Sequence, residues 1–344
     1  MKNNKKNKSM VSIKEIAQEA GVSIATVSNV INKSYKVTEK TKKRVEDIIK
    51  KYNYRINIGA SSLRSKVSKL IGVVVPEISN PLFSKLNNEI EKYASEIGYS
   101  IVICNNNYDY KKDIEYIEIL ASRNVDGLIM IPSIEDKKVL MPAIQTNIPT
   151  VLINRKIEKC NCDVIIVDIY KAAFEIVNYL ASLGHKKILY TNEEPSLYIS
   201  QRRLKGYLDG LKNNGLVLRE NLIMHVGGFG YEDGYNFVKN ILELKDQPTA
   251  IIAYNDILAI GIIKAIFNSG LKVPGNYSVV GFDNITIDDY LDIRLTSIAY
   301  GIKDVARAAV DALLDRIKYK NNPAKLVMLP VSIKNRDSVG IARE

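Results

Sequence analysis

The stretch 12-SIKEIAQEAGVSIATVSNVIN-32 carries two short apolar periodicities separated by one glycine. Apolar residues at 13, 16, 17 and 20 have the one-sided spacing of an amphipathic helix. Ser12 with Glu15 three residues on forms a capping box, and Gly21 supplies the left-handed residue that ends such a helix. Ser23 is placed to cap a second helix whose buried side is Val27, Val30 and Ile31. A third run, 38-TEKTKKRVEDIIKKYNY-54, starts at a Thr38 cap and is expected to bury Val45, Ile48, Ile49 and Tyr52. Three short helices with a tight glycine turn between the first two specify a helix-turn-helix.

Charge says what such a unit would meet. Of 49 Lys/Arg and 38 Asp/Glu, 16 and 5 lie in residues 1–68, so that segment carries a net +11 while the remainder holds 33 of each. An excess confined to the first fifth of the chain points to an anionic partner for that unit alone, nucleic acid first and a membrane surface second. The second helix of a helix-turn-helix enters the DNA major groove, and its outer side must be slim enough to reach base edges. Ile24, Ala25 and Asn29 are expected to face outward, with Ser23, Thr26, Ser28 and Asn32 able to bond phosphates or backbone. Asn29 can pair bidentately with an adenine edge, and Ile24 or Ala25 can touch a thymine methyl.

Other classes are disfavoured. No apolar run is long enough to span a bilayer, and the cationic leader lacks the apolar core of a secretory signal. A cytoplasmic chain is expected, which three cysteines left as thiols would suit. The pair Cys160 and Cys162 invites a zinc reading, but a site of about four ligands would need more than the distant His185 and His225, so neither metal nor cofactor is expected. No GxSxG and no phosphate-binding glycine loop suggests an enzyme.

The string 13–54, with its AxxAGVSxxTVSxVIN signature, resembles the DNA-binding head of the lactose/galactose-repressor family of bacterial transcription regulators. The resemblance implies a head over 11–54 and a hinge over 55–68 that folds on DNA, with Leu63 of 54-YRINIGASSLRS-65 at the position of a minor-groove wedge. Ile56 and Ser61 stand where the family commonly has proline and arginine. Asn29 likewise replaces a common arginine, so the family's usual operator half-site does not carry over.

From residue 69 onward, apolar runs such as 70-LIGVVVP-76, 125-VDGLIMIP-132, 163-DVIIVD-168 and 278-SVVGFDN-284 alternate with amphipathic helical patterns. Continuous apolar strands between helices specify parallel sheets covered on both faces, and the two series of strands suggest two doubly wound subdomains. This part resembles the family's periplasmic-binding-protein-like effector domain. The resemblance implies crossings near 168, 296 and 328, with one subdomain from 69–167 and 298–327 and the other from 168–297 and 328–344. Ligands in such sheets lie outside the strands' carboxyl ends. Carried over residue by residue, Phe83, Arg203, Phe229, Asn255 and Asp283 are the expected effector contacts; Asp256 is either a ligand group or a helix cap. A guanidinium fork, a carboxylate and aromatic faces suit a saccharide, with a pentose such as ribose as first guess and a purine or a phosphorylated partner protein as alternatives. The whole implies a homodimeric repressor that binds a double-stranded operator under effector control; a solute-binding transport protein is the alternative outside that class. The short polar end 335-NRDSVGIARE-344 lacks a tetramer-forming heptad tail.

Overall fold

The computed structural model describes residues 11–31, 37–52, 67–192, 196–319 and 322–343, and its chain divides into two compact units, Met1–Ser68 and Lys69–Glu344. Asn32, Leu63 and nearly all of the 55–68 segment lie outside the described residues.

The first unit contains α1 (Ile13–Glu19), α2 (Ile24–Ile31) and α3 (Glu39–Lys51). Ser12 Oγ accepts from the Glu15 amide and Glu15 Oε2 from the Ser12 amide (2.7 Å), so two otherwise orphaned donors are satisfied. Gly21 takes φ +62° just past α1, where a side chain would be strained. Ile16, Ala17, Ala20, Val27, Val30 and Val45 form the small core. Ile48 and Ile49 cover its edge, whereas Tyr52 is exposed instead of buried, because α3 ends at Lys51 and its side chain lies beside the Lys51 ammonium.

The second unit has two six-stranded sheets. The first is built from β1 (Leu70–Val75), β2 (Ser100–Asn105), β3 (Gly127–Met130), β4 (Thr150–Ile153), β5 (Asp163–Val167) and β11 (Leu326–Leu329), in the order β11-β5-β4-β3-β1-β2 and wholly parallel. The second contains β6 (Ile188–Asn192), β7 (Ile223–His225), β8 (Ala250–Ile252), β9 (Ser278–Asp283), β10 (Thr296–Tyr300) and β12 (Val331–Lys334), in the order β12-β10-β9-β8-β6-β7, where only β12 runs antiparallel. Around them pack α4 (Pro81–Glu96), α5 (Tyr110–Ser122), α6 (Met141–Gln145), α7 (Ile169–Ser182), α8 (Tyr198–Asn213), α9 (Tyr231–Leu242), α10 (Asp256–Asn268) and α11 (Ile302–Lys318). Strands β3, β4, β5 and β9 are buried along their whole length, as parallel strands covered on both faces must be.

The chain crosses between the sheets after β5, after β10 and after β11. Strand β10 stays with the second sheet up to Tyr300, and β11 with the first up to Leu329, past the expected boundaries at 298 and 327. Ladder pairing explains the extra length: Tyr300 is still opposite Val331, and Leu329 opposite Val167. All the parallel carboxyl ends of each sheet therefore lie on one edge, where the connections carry the polar residues.

Close approach fixes some of these elements. A Cβ on Gly281, in the middle of β9, would sit 1.9 Å from Asp256 Oδ1. Gly281→Ala is therefore expected to lower stability by about 1–3 kcal/mol through overpacking, read as a reduced denaturation midpoint with unchanged far-ultraviolet dichroism.

Candidate effector site and DNA-reading helix

The candidate effector residues come from a strand end and from the connections and helices that follow the strands. Arg203, on α8, is almost fully buried; its guanidinium stacks 4.6 Å from the Tyr254 ring and 4.3 Å from the Phe282 ring, and Nη1 donates to the Tyr254 carbonyl (2.8 Å). Two aromatic faces and one carbonyl hold the fork in a single orientation. The Phe229 ring, ahead of α9, lies 5.0 Å from Tyr254. Asn255 Nδ2 donates to the Phe229 carbonyl (3.1 Å), while its Oδ1 accepts from the Leu258 amide (2.7 Å). Asn255 thus caps α10 and positions Phe229.

Asp256 is neither the cap nor a cleft-facing group. It is fully buried, its Oδ1 accepts from Ser297 Oγ (2.6 Å) and its Oδ2 from the Ile285 amide (3.0 Å). Ser297 Oγ in turn accepts from the amides of Asp283 (3.1 Å) and Asn284 (3.0 Å). The buried carboxylate therefore fixes the turn at which Asp283 leaves β9, where Asn284 takes φ +52°, a conformation asparagine tolerates. Arg336 closes the turn from the other side, with Nη2 2.6 Å from Asn284 Oδ1.

Asp288 is buried beside Asp256, and neither of its oxygens meets a hydrogen-bond donor among the described residues. Burial, followed by the Asp256 carboxylate, pushes Asp288 up to about 10; burial also raises Asp256, against the hydrogen bonds it receives. Asp288 is thus a neutral acid whose proton serves Asp256, the form that leaves neither group unsatisfied.

The facing subdomain supplies the other wall. Phe83 lies in the first turn of α4, half-buried against the core; it is the one expected contact on that side. Sequence reasoning missed Tyr108, at φ +57° after β2, whose ring lies 5.7 Å from Phe229 across the cleft. It also missed Glu135, whose Oε1 accepts from the Lys156 amide and Oε2 from the Tyr198 amide, both at 2.7 Å. That carboxylate joins the two subdomains at the edge of the cleft. The signal for Tyr108 was present in 105-NNNYDY-110, a polar run with aromatics straight after a strand.

In the first unit, Ser23 Oγ accepts from the Thr26 amide (3.1 Å) and so caps α2, and it lies 2.9 Å from Thr26 Oγ1. Ala25 is exposed, and Ser28 and Asn29 are half-buried. Ile24 differs from its expected outward placing: its side chain packs against the small core beside Val22, leaving only part of it toward solvent.

A helix-turn-helix unit and a two-subdomain cleft in one chain define the class of regulators that bind DNA under the control of a small molecule. Residues 12–57 match "Bacterial regulatory proteins, lacI family", and residues 68–336 match "Periplasmic binding proteins and sugar binding domain of LacI family". The chain is 31% identical to the HTH-type transcriptional repressor PurR of Photobacterium profundum, over 96% of this chain and 99% of that protein. Among solved structures, the Lac repressor dimer bound to operator and the anti-inducer ONPF is 26% identical with a TM-score of 0.84, covering 96% of this chain and 100% of that one. A LacI family regulator from Enterococcus faecium with bound ribose is 27% identical with a TM-score of 0.72, covering 80% and 100%. The protein belongs to the LacI family and is a DNA-binding transcriptional regulator controlled by a small-molecule effector. Among the described residues, no helix is long and apolar enough to cross a membrane.

The buried acid pair makes stability depend on pH. A carboxyl whose folded value lies far above its unfolded value of about 4 holds a proton in the fold that the unfolded chain releases, so its contribution falls as pH rises from about 4 toward about 10. Asp288→Asn keeps a donor toward Asp256 without titrating. Its melting temperature is expected to drop less than that of the natural protein between about pH 5 and about pH 9; parallel curves would remove Asp288 as the cause.

Proposed function

We propose that the protein is a cytoplasmic homodimeric repressor, without enzymatic activity, that releases or grips its operator according to whether a sugar occupies the cleft, and that it governs carbohydrate-use genes. The observation that carries the sugar reading is the Arg203 fork stacked on Tyr254 and Phe282, with Phe229 against Tyr254 and Asp283 next after Phe282 at the end of β9. A planar donor and a carboxylate match vicinal hydroxyls, and aromatic faces cover a sugar ring. The bound ribose of the Enterococcus faecium relative supports a pentose, and the operator-bound Lac repressor dimer supports two heads reading two half-sites. Ala25 and Asn29 would meet base edges, Ile24 would reach a thymine methyl with its exposed part, and Ser23, Thr26, Ser28 and Asn32 would hold the backbone. Leu63 would wedge between base pairs. A purine is the second reading, kept from the family resemblance.

Ribose in hundredfold excess over its Kd should add about 2.7 kcal/mol to native stability and raise the melting temperature, with no response to a purine base. Arg203→Lys retains the charge and loses the planar fork, so the ribose response should vanish while operator affinity in the absence of sugar is kept. A rise with purine alone, or an intact ribose response in the variant, would move the site.

Operator binding should weaken linearly in a log-log plot against salt, with about 0.9 of slope for each phosphate neutralised. A flat plot in a fluorescence-anisotropy titration would exclude the +11 segment as the binding unit.

A further inference from the structure

The sequence placed two cysteines one residue apart, and the regulatory function leaves them without a role. They close the connection between β4 and β5. Cys162 is buried in the core of the first subdomain, and Cys160 is half-buried, with Sγ 3.1 Å from the Ile157 carbonyl. Among the described residues they are not part of any cluster of three or more metal-ligating side chains. Both line a cavity of about 640 Å³ whose wall also includes Lys137, Lys159, Asn161 and Arg316. The Arg316 guanidinium is buried and anchored: Nη2 lies 2.8 Å from Asp163 Oδ1 and 3.5 Å from Asn161 Oδ1, the side chain between the two cysteines. The cavity thus has a dithiol in its wall, a fixed cation beside it and two exposed ammonium groups around it.

We propose that Cys160 and Cys162 are a reversible redox site, oxidised to an intramolecular disulfide by a small anionic disulfide that enters this cavity. A carboxylate-bearing disulfide is favoured because the exposed ammonium groups of Lys137 and Lys159 attract anions, the Arg316 charge being already paired with Asp163. The two thiols divide the work. The hydrogen bond from Cys162, helped by Arg316, draws Cys160 down to about 7, while its bond to Cys160 and its burial hold Cys162 far above the ordinary thiol value. Cys160, half-buried at the cavity wall, is the accessible attacking group, and the buried Cys162 is the resolving group. Cys160 attacks one sulfur of the small disulfide; that sulfur–sulfur bond breaks, a mixed disulfide forms, and one small thiolate leaves and takes a proton from water. Cys162 then gives up its proton, attacks the Cys160 sulfur and expels the second small thiol. Two protein thiols are oxidised and one disulfide is reduced to two thiols, so no other oxidant is required. The same connection carries Lys156, whose amide bonds Glu135 at the cleft, so oxidation acts on a segment that also reaches the effector site.

The full-length protein treated with glutathione disulfide, then mapped by mass spectrometry, tests this. The natural protein should lose two hydrogens per chain in the peptide containing both cysteines, reversibly with dithiothreitol. Cys162→Ser should accumulate the glutathione adduct on Cys160, and Cys160→Ser should leave Cys162 unmodified. Cys104, whose thiol burial pushes up, should react at least about tenfold more slowly than Cys160. Persistence of both thiols in the natural protein, reaction at Cys104 as fast as at Cys160, or an adduct on Cys162 in Cys160→Ser would each overturn the proposal.

Discussion

The geometry of the cleft depends on one buried carboxylate. Asp256 is removed from water, and that is tolerable because Ser297 and the Ile285 amide bond to it and burial keeps the neighbouring Asp288 carboxyl protonated. Through Ser297 the same group fixes the amides of Asp283 and Asn284, and Gly281 leaves the room it needs. Residues far apart in sequence are thereby tied to one point at the end of β9. A side chain held by such a network would lose little conformational entropy if a ligand bound there.

Parallel strands supply the setting. Because β1 through β5 run in one direction, as do β6 through β10, their carboxyl ends gather on one edge of each sheet and their connections can face one another. Tyr108 against Phe229 and Glu135 against the Tyr198 amide are direct contacts between those connections. They are exposed or at the cleft edge, which makes them contacts that an opening motion would exchange with water. Control by an effector requires such a pair of states with different ligand affinity.

Much of this was legible in the sequence. The caps of α1 and α3, the glycine after α1 and the fully buried strands follow from local chemistry and apolar runs. The edge strands β11 and β12 did not announce themselves, because alternate residues in both face solvent and break the run. The roles of Asn255 and Asp256 were also hidden. Both suit a helix start, and only the distant Ser297 and Ile285 decide that Asn255 is the cap. Asp288, in the polar run 286-TIDDY-290, has the sequence appearance of a solvated turn and is buried by tertiary packing. Ile24 is only part-exposed because a core this small needs it as cover.

The charge division gives the most direct check on how the labour is split, since residues 1–68 hold the whole positive excess and residues 69–344 are neutral overall. Duplex binding by the isolated 69–344 unit should be compared with that of the full chain at the same low salt. Loss of measurable binding, with effector affinity retained, is the predicted result. Equal affinity of the two for the duplex would contradict it.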